Sequence, residues 1–166
     1  MYIRTSRLLI RDYKPSDWMD IHEIFSDPEV MKDCEPVYSQ VKTKETLAFF
    51  IENSIGYAVC LAGAGKVIGH ILFHQLPGEE EGIYEIGWFF NRNFWRQGYG
   101  FEASHAMICY GFETLNLHKI TAQTIDPVKS VNLMQKLGMT HEGTLHSHVK
   151  DPNGKWRDVY WYAILN

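Results

Sequence analysis

A chain of 166 residues with a formal net charge of -4 and 22% charged side chains reads as one soluble domain, long enough to bury roughly 70% of its unfolded surface. That balance lacks the basic stripe on which nucleic-acid binding depends, so nucleic acid is not an expected partner. The three cysteines, Cys34, Cys60 and Cys109, are scattered without a C-x-x-C pair, which points away from a disulfide framework or a cysteine zinc site and toward reduced thiols in the cytoplasm.

The opening MYIRTSRLLIRDY is too soon broken by charge for a signal peptide, and no later stretch reaches membrane-spanning length. Leu8 to Ile10 predicts a short first strand. Lys14, Pro15, Ser16 and Asp17 open a helix through about Phe25, with Trp18, Ile21, Ile24 and Phe25 on one stripe. Asp27 and Pro28 punctuate, Val30 and Met31 sit in a short helical turn, and Asp33 to Val41 reads as an irregular segment able to flank a substrate cleft. A second helix fits Thr43 to Ser54, with Leu47, Phe50 and Ile51 spaced to face a core. Two β-rich runs, Gly56 to Ala62 and Val67 to Leu76, are joined by the small residues of AGAGK as a hairpin and lead into a strand from Ile83 to Phe90.

The stretch from Tyr84 to Phe112 is the centre of the chain: an apolar strand, a turn holding Arg96, Gln97, Gly98, Tyr99 and Gly100, then Ala103, Ala106, Met107, Cys109, Tyr110 and Phe112 at helical spacing. A helix that opens on glycines presents unpaired N–H groups and the positive end of its dipole, a natural seat for phosphate. Arg92 and Arg96 lie within reach of the turn. A P-loop would need lysine and a hydroxyl residue after the second glycine, where Phe101 and Glu102 stand. A dinucleotide fingerprint would open a series of parallel repeats, and no such series is visible.

Beyond this stretch, His118 to Ile125 predicts a strand, Val128 to Leu137 a helix capped by Gly138, and Met139 to Lys150 with Trp156 to Leu165 a last pair of strands across the Asp151 to Gly154 turn. With no linker and no repeat, residues 1–166 read as one α/β (α+β) domain, a mixed and mostly antiparallel sheet flanked by helices.

The strings EIGWFF, FWRQGYGFEA, LHKI, SVNLMQKLGM, THEGTL and DPNGKWRDVYWYAI, in that order, resemble the GNAT superfamily of N-acetyltransferases, in its RimJ/RimL-like branch; the similarity covers nearly the whole chain. The resemblance implies a GNAT-like fold, acetyl-CoA as cosubstrate and an amine acceptor, such as a protein N-terminal α-amine, in a monomer or homodimer. It implies that the pantetheine arm pairs with backbone at Trp88, Phe89 and Phe90 and that the pyrophosphate sits on Trp95, Arg96, Gln97, Gly98, Tyr99, Gly100 and Phe101. The family pattern there is W-G-K-G-Y-A-T; Arg96 and Gln97 replace Gly-Lys, and Gly100 replaces Ala, changes that spare a backbone role. Downstream, the family's Asn-x-x-Ser is Pro127-Val128-Lys129-Ser130, so one hydrogen bond to the cofactor arm is lost or supplied otherwise, and Lys129 is a candidate to meet the CoA phosphates instead.

Acetyl transfer needs a neutral amine, a polarised thioester carbonyl and a proton for the departing thiolate. Glu85, on the central strand beside the cofactor, is the first candidate base; it equally suits an acid that hydrogen-bonds a neighbouring strand, and Glu142 is the runner-up. Backbone N–H near Phe89 is the expected polarising group. Ser130 is the position that the branch implies for the thiolate, although serine at a helix start is also an ordinary N-cap. Tyr160 and Tyr99 are weaker candidates, Met134 stands where many members carry a tyrosine, and an acetyl-cysteine route through Cys109 fits poorly mid-helix.

His146 and His148, with His141 nearby, alternate like His70 and His74; they would hold zinc only if they converged, and the expectation is a polar strand face or amine-substrate wall, with no metal. Rival readings are a small-molecule acetyltransferase for polyamines or antibiotics and a non-catalytic CoA-binding module. Acidic residues Asp33, Glu35, Glu79, Glu80 and Glu81 hint at a cationic acceptor but fit solvated loops as well.

Overall fold

In a computed structural model that describes residues 1–166, the apolar runs pair into one eight-stranded sheet. In chain order the strands are β1 (Tyr2–Arg4), β2 (Leu8–Asp12), β3 (Gly56–Leu61), β4 (Val67–Gln75), β5 (Ile83–Phe90), β6 (Lys119–Thr124), β7 (Thr140–Lys150) and β8 (Trp156–Leu165). They lie side by side as β1-β2-β3-β4-β5-β6-β8-β7. Every pairing is antiparallel except β5 with β6. There the chain must return to the same end of the sheet, and the helix α4 (Tyr99–Glu113) makes the crossover.

Helices α1 (Trp18–Phe25), α2 (Pro28–Met31) and α3 (Gln40–Asn53) cover one face, here called the front. Their apolar residues Ile21, Ile24, Phe25, Met31 and Leu47 pack on Ala58, Cys60 and Val67. On the back, α4 and α5 (Lys129–Lys136) bury Ala103, Met107, Ile108 and Met134 against Ile71, Phe73, Ile86 and Ile120. No helix is long and apolar enough to cross a membrane.

Several boundaries differ from the sequence expectation, each for a local reason. β1 is a three-residue edge strand with too little pattern to read. The helix expected from Lys14 begins with a 3-10 turn at Pro15–Asp17, where the Asp17 carboxylate accepts from the Lys14 N–H at 2.7 Å and from Arg11 at 2.7 and 2.9 Å. Helix α3 starts at Gln40 rather than Thr43 because Ser39 Oγ accepts from the Lys42 N–H at 3.2 Å and caps it. Its inward stripe is Thr43, Leu47 and Phe50, which leaves Ile51 38% exposed rather than facing the core. Gly138 does cap α5: it has φ +81°, its N–H reaches the Gln135 carbonyl and the Met139 N–H reaches that of Met134, each at 3.0 Å.

The feature that positions the site is a parting of strands. β4 follows β5 along its full length, from Gln75 opposite Tyr84 to Gly69 opposite Phe90. β6 pairs with β5 only over Ile83–Glu85 and then stays with β8 as far as Thr124. A gap therefore opens between the second half of β5 and β6. The Phe90 ring braces its upper end: it lies over Gly69, and it is the nearest ring to the space beside Gly100 at the start of α4.

A methyl group at Gly69 would meet the Phe90 ring at 2.4 Å, so Gly69→Ala is expected to destabilise the fold by about 1–3 kcal/mol through overpacking. Urea denaturation should show a lowered midpoint, and adding Phe90→Leu should restore part of it.

Candidate active site

Around the central turn, Asn91 Oδ1 accepts from the Asn93 N–H at 3.0 Å and starts a short 3-10 turn, Arg92–Phe94. The Trp95 indole then donates to the Phe90 carbonyl at 2.7 Å and closes the chain back onto β5. Arg96 and Gly98 both take left-handed backbone, φ +59° and +82°, and α4 begins at Tyr99. Gly98 is required there by conformation.

The consequence is a run of unpaired donors. The N–H groups of Arg96, Gln97, Gly98, Tyr99, Gly100 and Phe101 have no acceptor in the chain; the first amide of α4 with a partner is Glu102, which donates to the Gly98 carbonyl at 3.0 Å. Arg96, Gln97 and Gly98 are exposed, so the bend is open rather than sealed under side chains. The donor set fits a diphosphate: consecutive amides at the positive end of a 15-residue helix, with the Arg96 side chain unpaired beside them. Arg92 is engaged with Asp27 at 3.2 Å, and the Lys129 ammonium lies 5.0 Å from the centre of the Trp95 ring, which brings the start of α5 to the same mouth. Gln97 anchors its side chain on the Asn93 carbonyl at 3.1 Å, and Phe101 is 40% exposed beside His105.

Register decides which β5 groups face the gap. The Asn91 N–H reaches the Ile68 carbonyl and the Leu76 N–H reaches that of Ile83, so by alternation the main chain of Glu85, Gly87 and Phe89 points to β4. The main chain of Ile86, Trp88 and Phe90 points the other way, and beyond Glu85 no β6 residue is opposite. The expectation of polarising N–H groups at Phe89 is therefore corrected: its amide belongs to the β4 ladder and its side chain packs in the front core beside Phe25 and His70. Trp88 offers the gap-facing backbone instead.

The two proposed catalytic residues lie on opposite faces. Glu85 projects to the front, 14% exposed, where Gln123 Nε2 donates to its Oε1 at 2.9 Å and His74 Nε2 stands 3.9 Å from its Oε2. His74 Nδ1 bonds the Gln75 carbonyl at 2.8 Å, which fixes that nitrogen as the N–H. Ser130 stands in the first turn of the back-face helix α5; it is not the N-cap, since Val128 holds that position and Asp126 Oδ1 accepts from the Val128 and Lys129 N–H groups at 2.8 and 3.0 Å. The Ser130 hydroxyl is half-buried without a partner. The two residues can serve one substrate only through the gap between β5 and β6.

The remaining candidates fall elsewhere. Glu142 is bound to Lys119 at 2.7 Å. Tyr160 lines a cavity of about 200 Å³ with Pro127, Trp156 and Arg157. Cys109 is half-buried with its thiol pushed up, chiefly by burial, and its Sγ 3.7 Å from His105 Nδ1. The histidines do not converge, and no three His, Cys, Asp or Glu side chains are grouped to hold a metal. His146 pairs with Asp158 at 3.1 Å, His141 bonds Thr144 at 3.0 Å, and a register shift with Ser147 at φ +48° breaks the alternation expected of His146 and His148. His70 is no wall residue: it is 1% exposed, stacked on Phe50 at 4.7 Å, with Nδ1 2.9 Å from the Tyr13 hydroxyl.

Burial pushes the His70 imidazole down to about 3 from an ordinary 6.5. The unfolded chain therefore takes up that proton first, and stability present above about pH 6.5 is lost as pH falls toward 3. His70→Gln keeps a hydrogen-bonding group for Tyr13 and removes the titration, so urea denaturation at about pH 7 and pH 5 should show a smaller acid loss in the variant than in the wild type.

The family of the acetyltransferase (GNAT) domain matches residues 7–140. The uncharacterized N-acetyltransferase YnaD of Bacillus subtilis (strain 168) is 40% identical over 172 residues, covering 99% of this chain and 97% of its own. The crystal structure of a GNAT-family acetyltransferase from Bacillus anthracis superposes with a TM-score of 0.91 at 37% identity, covering 99% of this chain and 98% of that one. At the level of fold alone, ribosomal-protein-S5-alanine acetyltransferase of Vibrio fischeri (TM-score 0.82, 20% identity, 100% and 97% covered) and spermidine N-acetyltransferase of Vibrio cholerae with CoA and spermine (0.83, 23%, 97% and 96%) are alike to the chain. An exposed row of helix-end amides beside a parted parallel strand pair thus sits in a chain that belongs to the GNAT acetyltransferase family, enzymes that transfer an acetyl group from acetyl-CoA.

Proposed function

We propose that this chain acetylates a primary amine by direct attack in a ternary complex, with a protein N-terminal α-amine as the acceptor. The observation that carries the cosubstrate half of this reading is the row of six partnerless amides from Arg96 to Phe101. Acetyl-CoA held there supplies the activated acetyl thioester. Trp88, whose main chain faces the gap, pairs with the extended arm in the manner of an added strand, and its N–H is the donor for the thioester carbonyl. Lys129, held near Trp95, adds a cation for the phosphates where Pro127 removes the family's amide side chain.

Glu85 takes the proton that an alkylammonium must lose before it can attack. Gln123 fixes one of its oxygens and leaves the other beside His74. On the far side of the gap, the free Ser130 hydroxyl donates a hydrogen bond to the departing thiolate, which ends as the thiol by taking the second proton that the nitrogen sheds after attack, so that Ser130 keeps its own. The acceptor class rests on fold likeness to the ribosomal-protein acetyltransferase. The equal likeness to the spermidine enzyme, together with the acidic Asp33, Glu35 and Glu79 to Glu81, favours a second reading with a polyamine acceptor.

Incubation with acetyl-CoA and a panel of N-terminal peptides and polyamines, with free thiol as the readout, is expected to show peptides raising the rate above hydrolysis. Glu85→Gln should lower kcat about 100-fold with little change in KM for acetyl-CoA. Stimulation by polyamines alone would move the assignment to the second reading; no stimulation by any amine would sink both.

A further inference from the structure

Glu102 stands in the first turn of α4, close to the amides proposed for the diphosphate. A bare carboxylate there would oppose a second anion. It is not bare. Its Oε1 accepts from Thr5 Oγ1 at 2.6 Å, Ser6 Oγ at 3.0 Å and the Arg7 N–H at 3.0 Å, and its Oε2 accepts from Arg7 Nε at 2.6 Å. Burial alone would raise this carboxyl; the hydrogen bonds from Thr5, Arg7 and Ser6 outweigh it and hold the group below the usual carboxylate range. The β1–β2 turn thus neutralises the charge at the mouth of α4.

The same guanidinium reaches the turn itself. Arg7 Nη1 donates to the Gln97 carbonyl at 2.9 Å, its Cζ lies 4.5 Å from the centre of the Tyr99 ring, and its Nη2 is 3.4 Å from where a Gly98 Cβ would stand. In a trans peptide the carbonyl of one residue and the N–H of the next point in opposite directions. Drawing the Gln97 carbonyl toward Arg7 therefore turns the Gly98 N–H away from it, to the side open for a ligand.

We propose that Arg7 is a positioning residue for the CoA diphosphate: it sets the Gln97–Gly98 peptide and cancels the Glu102 charge, without touching the ligand. This rests on the diphosphate seat proposed above. A lysine at this position keeps the charge but lacks the planar fork that serves Gln97 and Glu102 together.

The test is calorimetric titration of CoA into the wild type, Arg7→Ala, Arg7→Lys and Arg7→Ala/Glu102→Gln, with KM for acetyl-CoA and kcat measured alongside. Arg7→Ala is expected to weaken CoA about tenfold or more, with the loss falling on KM more than on kcat. Removing the freed charge in Arg7→Ala/Glu102→Gln should recover part of the affinity, a rescue that a merely structural role would not give. If Arg7→Ala does not fold, the neutral Arg7→Gln against Arg7→Gln/Glu102→Gln carries the same comparison. Wild-type affinity in Arg7→Ala, or in Arg7→Gln where the alanine variant does not fold, or no recovery from the added Glu102→Gln, would overturn this proposal alone. Absence of CoA binding by the wild type would overturn the diphosphate seat itself.

Discussion

Six amides without acceptors are the constraint around which the rest of the structure is arranged. Unpaired donors are tolerated at a helix end only where water or a ligand can reach them. Holding them at the surface in one geometry needs support from behind, and three separate parts of the chain provide it. Phe90 braces the space beneath Gly100, Trp95 ties the turn to the end of β5, and Arg7 holds the Gln97 carbonyl. The left-handed backbone at Arg96 and Gly98 is what lets the chain leave a 3-10 turn and enter α4 within so few residues.

The second constraint is the gap. A sheet with helices on both faces normally separates the two sides completely, because continuous ladders leave no opening. Here β5 stays with β4 and β6 stays with β8, so beyond Glu85 the two halves of the sheet part. Glu85 and Gln123 face one side, Ser130 and Lys129 the other. An extended ligand arm lying in the gap would supply the missing strand and bring its end between the two sets. That division suits a reaction in which a proton leaves the amine and another arrives at sulfur, since one group need not do both.

Much of this was legible because long strands and helices carry their own pattern. Trp156–Leu165 alternates and turns at Asp151–Gly154, and the structure has the strand at those bounds. The turn from Trp95 to Phe101 was legible through its glycines and the motif around it. Three things were not. The direction of the Phe89 main chain depends on pairing with His70, which local sequence does not contain. Helix α3 starts early because Ser39 caps it, although the residues after it carry no clear apolar stripe. Arg7 and Glu102 are 95 residues apart, and nothing at either position announces the other.

The same distance problem explains how a chain of net charge -4 can suit a polyanionic cosubstrate. Net charge governs solubility and long-range approach, whereas a bound diphosphate responds to charges and dipoles within a few ångströms. At the N-terminal turn of α4 two acids are already paired: Asp27 with Arg92, and Glu102 with Arg7, Thr5 and Ser6. What remains without an opposite partner is the Arg96 guanidinium, the Lys129 ammonium over Trp95, and the amide row. At the turn itself the unpaired donors and the Arg96 guanidinium thus face a ligand without a bare carboxylate from α4's first turn among them. A composition count cannot reveal this; the arrangement of partners does.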